Sequence, residues 1–340
     1  MVTQVFSHKH LGLTFDTKLS FISHINEKIK RSMQGIGILK YLSKYLPLNS
    51  LIQIYKLFIR PHFDYADVIY HTPSVTNLFN NSISLNNLME RVEKIQYRAA
   101  LIITGTWQGS SRNKLYEELG WESLHDRRRL RCLIQFYKIH NNMTPANLKN
   151  QLPPLRRILY GNRNTNIYHN IFCNKTKYMN SFFPNTIKAW NNIDDEYRSS
   201  SSLDMFKNRL LILFRPKFKA VFGIHSLKDL RWLYQLRVGL SPLKSHKRKH
   251  GFKDSPSDWC DCKCAPEDTY HFILCCPIYH LERLNLLNTT SNILAANNIL
   301  NPIFNVNLFL YGEPTINDDD NRKIILSLIQ YIKDTNRFSG

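Results

Sequence analysis

The sequence predicts a mainly α-helical protein with a few short strands and one small metal-binding module towards its C-terminal end. Three observations lead to that expectation. Apolar residues recur at three- and four-residue steps in one window after another. Proline, glycine and serine or asparagine positions punctuate those windows where helices start and stop. Five of the seven cysteines crowd, with a histidine, into residues 259–279, WCDCKCAPEDTYHFILCCPIY.

In chain order, residues 5–14 (VFSHKHLGLT) read as a strand pair or a strand and turn, with Gly12 at the tight point. Such an apolar piece wants a sheet to join, so the sequence is expected to begin inside a domain. Residues 21–45 follow as a helix, with Ile22, Ile25, Ile29, Ile36, Leu39 and Leu42 on one stripe and lysines on the other faces. Pro47 stops it. Asn49 or Ser50 caps a second helix, 51–60, which Pro61 ends. Residues 75–85 are rich in asparagine and serine and read as loop, and 88–103 return to helix. Residues 112–119 form a short helix closed by Gly120. A stronger helix, 123–141, carries Arg127, Arg128, Arg129 and Arg131, which wrap its surface and offer phosphate grips against the plainer alternative of a solvated face. Prolines 145, 153 and 154 mark a linker. Weak alternation over 156–177 suggests short strands. Residues 181–190 gather large apolar groups around Pro184, and the serines at 199–202 cap a helix over 203–213. Helical windows at 281–300 and 324–332, a segment at 308–311 that ends at Gly312, and an acidic loop at 318–320 complete the chain. The expected segments are 1–72, 73–150, 151–225, 226–280 and 281–340.

With 340 residues the chain is long enough for two or three domains with real cores. An apolar content of 43% excludes a disordered tail. No uninterrupted apolar run approaches the roughly eighteen residues a membrane span needs, so no membrane partner is expected. Lysine and arginine number 46 against 26 acids, a formal net charge of +20. A chain that basic ordinarily meets a polyanion, and nucleic acid is the commonest one; a solvated lysine-rich surface is the alternative. The cations cluster in residues 226–250, where Lys228, Arg231, Arg237, Lys244, Lys247, Arg248 and Lys249 face one acid, Asp229, and interleave with Trp232 and Tyr234. Cations for phosphates and rings for bases make that segment a nucleic-acid surface; equally, Leu230, Leu233, Leu236 and Trp232 suit the buried face of a helix.

Cys260, Cys262, His271 and Cys276 supply three thiols and an imidazole, enough to fill a tetrahedral zinc shell. Cys264 and Cys275 are alternative ligands, and Cys260 with Cys264 has the more usual spacing of a ligand pair. Nothing in the first thirty residues looks like a signal peptide, so a reducing, intracellular compartment, nuclear or cytoplasmic, favours metal over disulfides. Cys132 and Cys173 read as buried apolar residues. Tyr65-Ala66-Asp67 looks like the front of the Tyr-x-Asp-Asp signature of polymerases that copy from RNA, but Val68 stands where the second carboxylate belongs. A two-metal site needs several carboxylates, so no catalytic residue is assigned.

These motifs, in this order, resemble the C-terminal part of a non-LTR retrotransposon reverse transcriptase of the jockey or chicken-repeat type. KHLGL at 9–13 resembles the motif just after the palm, and IYKLFIRPHFDYADVIYH at 54–71 resembles the thumb. RVEKIQYRAALIITG, LYEELGWESLHDRRRLRCLIQFYKIHNN, and SFFPNTIKAWNNID with SSLDMFKNRL resemble the helical regions beyond it. LRVGLSPLKSHKRKHGFKD leading to Cys260, Cys262, His271 and Cys276 is similar to the family's terminal zinc-knuckle-like motif. Lys263 stands where the family has glycine, and Cys264 is an addition. The resemblance implies that the magnesium-holding palm carboxylates, the fingers and the endonuclease lie upstream, so the chain reads as a truncated RNA-directed DNA polymerase frame that does not polymerise alone. It implies retained binding of RNA or DNA, element transcript or target. The rival expectation is a zinc-stabilised helical protein-interaction module with neither catalytic nor nucleic-acid role. Oligomeric state is left open.

Overall fold

The computed structural model describes residues 5–70, 83–156, 167–214, 221, 224 and 226–338. Its backbone is mainly helical, with one two-stranded sheet among the described residues. The chain divides into two units, each assembled from separated stretches. Met1–Gly37, Tyr55–Gln96 and Trp121–Pro216 form the first; Ile38–Ile54, Tyr97–Gly120 and Lys217–Gly340 form the second.

The first unit opens with a hairpin, β1 (Ser7–His10) and β2 (Leu13–Asp16), in antiparallel register from Ser7 opposite Asp16 to His10 opposite Leu13. Leu11 and Gly12 make the turn, both at positive φ, the backbone twist two-residue hairpins require. The Asp16 carboxylate then accepts from the backbone N–H of Lys18, Ser20 and Phe21. That fixes the entry into α1 (Ile22–Leu42), whose Ile25, Ile29, Ile36 and Leu39 are buried as their spacing predicts. Helix α2 (Leu48–Ile54) runs on into a π turn, Tyr55–Ile59, so the helix expected at 51–60 starts earlier and ends wider. Gly35 lies where a Cβ would come within 2.8 Å of the Ile59 side chain, so α1 and this turn approach too closely there for any other residue.

Two short helices follow, α3 (Pro61–Asp64) and α4 (Asp67–Tyr70). The 75–85 loop falls mostly outside the described residues; α5 (Ile83–Thr104) begins inside it. Helix α6 (Arg112–Leu119) closes on Gly120 in the left-handed conformation. Helix α7 (Leu124–His140) is N-capped by Ser123, whose Oγ accepts from the Asp126 N–H at 3.0 Å.

The core of the first unit lies between α7, α10 (Phe182–Asn191) and α12 (Leu203–Phe214). Single-turn helices α8 (Ala146–Lys149), α9 (Thr176–Met179) and α11 (Asp195–Arg198) connect them. Phe136, Tyr137, Trp190 and Phe206 meet at its centre, with Tyr137 stacked on Phe206 at 4.4 Å. Pro184 sits in the first turn of α10, where its missing N–H costs nothing. The strands expected across 156–177 reduce, among the described residues, to an isolated bridge between Leu155 and Tyr168, which the Asn191 amide holds from both sides. Ser202 caps α12 through the Met205 N–H.

The second unit is built around α13 (Leu227–Val238), α15 (His280–Ala296), α16 (Val306–Tyr311) and α17 (Asp318–Asp334), with the six-residue α14 (Lys244–Lys249) beside them. The acidic loop expected at 318–320 is instead the first turn of α17. Asn317 caps it through the Asp320 N–H, and three carboxylates stand at the positive end of the helix dipole.

Beneath α7, buried charge replaces apolar packing. Arg127 donates to both oxygens of Asp64 at 2.7 and 2.8 Å and to Glu122 at 2.6 Å. Arg131 faces Asp67 at 3.0 Å. Burial pushes the Asp67 carboxyl up to about 6, with Arg131 pulling the other way. A carboxyl raised on folding stabilises the folded state while protonated, and that contribution is lost as pH rises through about 6. Arg131→Met removes the group that moderates the rise. It is expected to cost about 3 kcal/mol at pH 8 and clearly less at pH 5; equal losses at both pH values in urea titrations would refute the pairing.

Candidate metal centre

Two short turns in the second unit build this site. The first is a hairpin closed by an antiparallel bridge between Trp259 and Pro266. Within it the Cys260 N–H donates to the Ala265 carbonyl and the Lys263 N–H to the Cys260 carbonyl, both at 3.0 Å. Lys263 adopts a φ of 61°, the left-handed region that favours glycine, and so reverses the chain between Cys262 and Cys264. The second is a π turn, His271–Cys275. Asp268 caps it by accepting from the His271 N–H at 2.8 Å, and the Cys276 N–H closes it onto the His271 carbonyl at 2.7 Å. A π turn bonds residues five apart, which is the separation of His271 and Cys276, so both reach the same side of the turn.

The four side chains meet. Cys262 Sγ lies 3.2 Å from His271 Nε2 and Cys260 Sγ 3.6 Å from Cys276 Sγ. All four donor atoms fall within 4.8 Å of one another. Bonds of about 2.3 Å to sulfur and 2.0 Å to nitrogen in a tetrahedron put neighbouring donors a little under 4 Å apart. Cys260, Cys262, His271 and Cys276 therefore could hold a metal ion, and three thiols with one imidazole are a donor set consistent with zinc. Cys264 and Cys275 are exposed and stand outside the group.

Electrostatics divide the thiols. Burial pushes Cys260 up to about 12 and also raises Cys276. Burial acts on Cys262 in the same direction, but the Cys264 N–H, the Cys260 thiol and His271 outweigh it and bring Cys262 down to about 6. A cation binding here would displace the protons that the thiols still hold.

A rigid surround holds the two turns in place. Arg283 of α15, itself buried, donates to the Ile273 and Cys276 carbonyls. Phe272 points the other way, into a cluster with Tyr279, Tyr331 and Phe338, and the Tyr331 hydroxyl donates to the Phe272 carbonyl. Glu267 accepts from the Lys244 N–H and, through both oxygens, from Arg337 at 2.6 Å. Four protein donors are enough to fill a tetrahedral shell, as in closed structural sites, with no position left open.

The basic residues singled out in the sequence have mixed fates. Arg127 and Arg131 are turned onto carboxylates, as described. Arg128 is buried and Arg129 lies over the Phe214 ring at 5.5 Å. Arg237 is buried against Glu118 at 3.1 Å, donates to the Leu310 carbonyl and stacks on Tyr311 at 4.6 Å. Tyr234 is buried too, and Trp232 packs edge-on to Phe338. Lys244, Lys247 and Arg248 pair with Asp261, Asp254 and Asp258 of the neighbouring loop. Arg231 and Lys249 are exposed, the stem of Arg231 lying against Gly105. Sequence reasoning missed those partner acids. The loop's alternation of Asp254, Asp258 and Asp261 opposite four cations was the available signal.

Comparison with protein-family models, curated proteins and solved structures finds no match to this chain. Among the described residues no helix is long and apolar enough to cross a membrane.

The ligand assignment predicts equimolar zinc or cobalt in the reduced protein, retained in Cys264→Ser and Cys275→Ser and lost in His271→Ala and Cys276→Ser. Elemental analysis after gel filtration checks this, and equimolar metal in Cys276→Ser would refute it. Chelation of the loaded protein is expected to lower its Tm.

Proposed function

We propose that this chain is a zinc-stabilised helical protein that binds RNA or DNA through phosphate contacts, the role expected of the region beyond the catalytic centre in a non-LTR retrotransposon reverse transcriptase. The observation that carries the reading is where the charge sits. Twelve lysines and arginines lie between Asp126 and Asp194 with no carboxylate among them. Several of these turn inward, but Arg156, Lys175 and Lys188 are exposed. Arg156 and Lys188 also line a pocket of about 280 Å³ with Asn170, Asn191 and Asn192. Exposed cations beside amide groups, in a stretch without acids, suit a phosphate backbone.

Zinc has a supporting role here, fixing the fold of the second unit. Asp64 and Asp67, which a polymerase-like reading would enlist for magnesium, are committed to Arg127 and Arg131. Any magnesium chemistry of the family would belong to palm carboxylates elsewhere.

The ion pairs around α14 favour a second reading for the metal module itself. There, Lys244, Lys247 and Arg248 are balanced by acids, while Ile278, Leu281 and Leu284 stand exposed nearby. That surface suits a protein partner better than a phosphate backbone.

Salt dependence separates the two. Phosphate contacts predict a linear fall of log affinity with log salt, and loss of two contacts lowers the slope by about two. Arg156→Glu with Lys188→Glu is expected to weaken binding of a labelled single-stranded oligonucleotide and flatten its salt slope. Lys244→Glu is expected to change neither. Affinity that is unsaturable, or unchanged in the double variant, would refute the phosphate-binding reading.

A further inference from the structure

We infer that Cys262 and Cys264 form a peroxide-reactive pair, in which Cys264 resolves an oxidised Cys262 into a disulfide and so opens the metal centre reversibly. This rests on the metal-centre reading above. Three of the four ligands are sealed off, Cys260 at 3%, His271 at 4% and Cys276 at 0% exposure. Cys262 is only half-buried, so it is the ligand that a solvent oxidant reaches. Cys264 is exposed and holds no place among the four donors. The reversal at Lys263 folds it back on its neighbour. The Cys264 N–H donates to Cys262 Sγ, and Cys264 Sγ lies against the Cys262 carbonyl, both at 3.4 Å. Cys275, the other exposed thiol, sits instead beside the Tyr270 hydroxyl. The Cys260 and Cys276 sulfurs are close, at 3.6 Å, but buried away from an oxidant.

The chemistry balances with a hydroperoxide as oxidant. The Cys262 thiolate attacks one peroxide oxygen, the O–O bond breaks and hydroxide leaves, giving a sulfenic acid. The metal loses that ligand. The Cys264 sulfur then attacks the Cys262 sulfur. The S–S bond forms, the S–O bond breaks, and the hydroxyl departs with the Cys264 proton as water. Peroxide is reduced by two electrons and the two thiols are oxidised by two. A dithiol returns both thiols and, with them, the donor set.

The experiment treats the full, reduced, metal-loaded chain with a several-fold molar excess of hydrogen peroxide, enough to carry an unresolved sulfenic acid on to sulfinic acid. It follows metal release with a chromophoric chelator and maps thiols by peptide mass spectrometry. The wild type is expected to release its metal, to yield a Cys262–Cys264 disulfide, and to regain metal after dithiothreitol and zinc. Cys264→Ser is expected to release metal but to accumulate sulfinic acid at Cys262 and lose that recovery, while Cys275→Ser behaves as wild type. A Cys260–Cys276 disulfide, or full recovery in Cys264→Ser, would overturn the proposal. If the reduced chain takes up no metal, the metal-centre reading fails on its own. The mapped disulfide then decides the pair, since Cys262–Cys264 upholds it and any other partner overturns it.

Discussion

In the second unit, four side chains from two short turns converge within 4.8 Å of one another, close enough to share a metal ion. Each turn has few bonds of its own and leans on the contacts that Arg283, Tyr331 and Arg337 supply from outside it. The hairpin rests on one bridge and a few backbone bonds, and the π turn is a single turn long. The wider winding of that turn is what reconciles two demands. It brings His271 and Cys276 to one side while sending Phe272 into the aromatic cluster behind. The donor group and the core packing therefore meet in the six residues from His271 to Cys276, and disturbance of either is felt by the other.

Charge in this protein is organised by distance from acids rather than by local density. The four arginines of α7 look like a polyanion grip, yet two of them neutralise buried carboxylates and a third lies over a ring. Arg237 does the same for Glu118. A guanidinium suits such positions because its flat fork satisfies two oxygens at once and covers an aromatic face. Arg156, Lys175 and Lys188 differ from these in being exposed within a stretch of sequence that carries no acid.

What the sequence revealed follows from how local each interaction is. Helix stripes such as Ile25, Ile29 and Ile36, the left-handed Gly120 and the Ser202 cap are decided by neighbours within a turn or two, and the sequence reading located them. The grouping of Cys260, Cys262, His271 and Cys276 was legible for the same reason, since these residues span seventeen positions and their spacing carries the geometry. The arginines were misleading because their partners are remote. Arg127 meets Asp64 across 63 positions and Arg237 meets Glu118 across 119. The acids at 318–320 resembled a loop by composition. Their place at the start of α17 is a dipole effect that Asn317 announces only once the cap is sought.

The contacts that the last helix and the residues just beyond it make with the donor-bearing turns come from the end of the chain. Tyr331 reaches back to the Phe272 carbonyl and Arg337 to Glu267, spans of 59 and 70 residues. During synthesis the four ligands emerge well before these two braces. A nascent chain halted between them would carry the full donor set with the Arg283 contacts but without these two braces. The bracing of the donor group is accordingly complete only once the C-terminal residues have arrived, and not when the last cysteine appears.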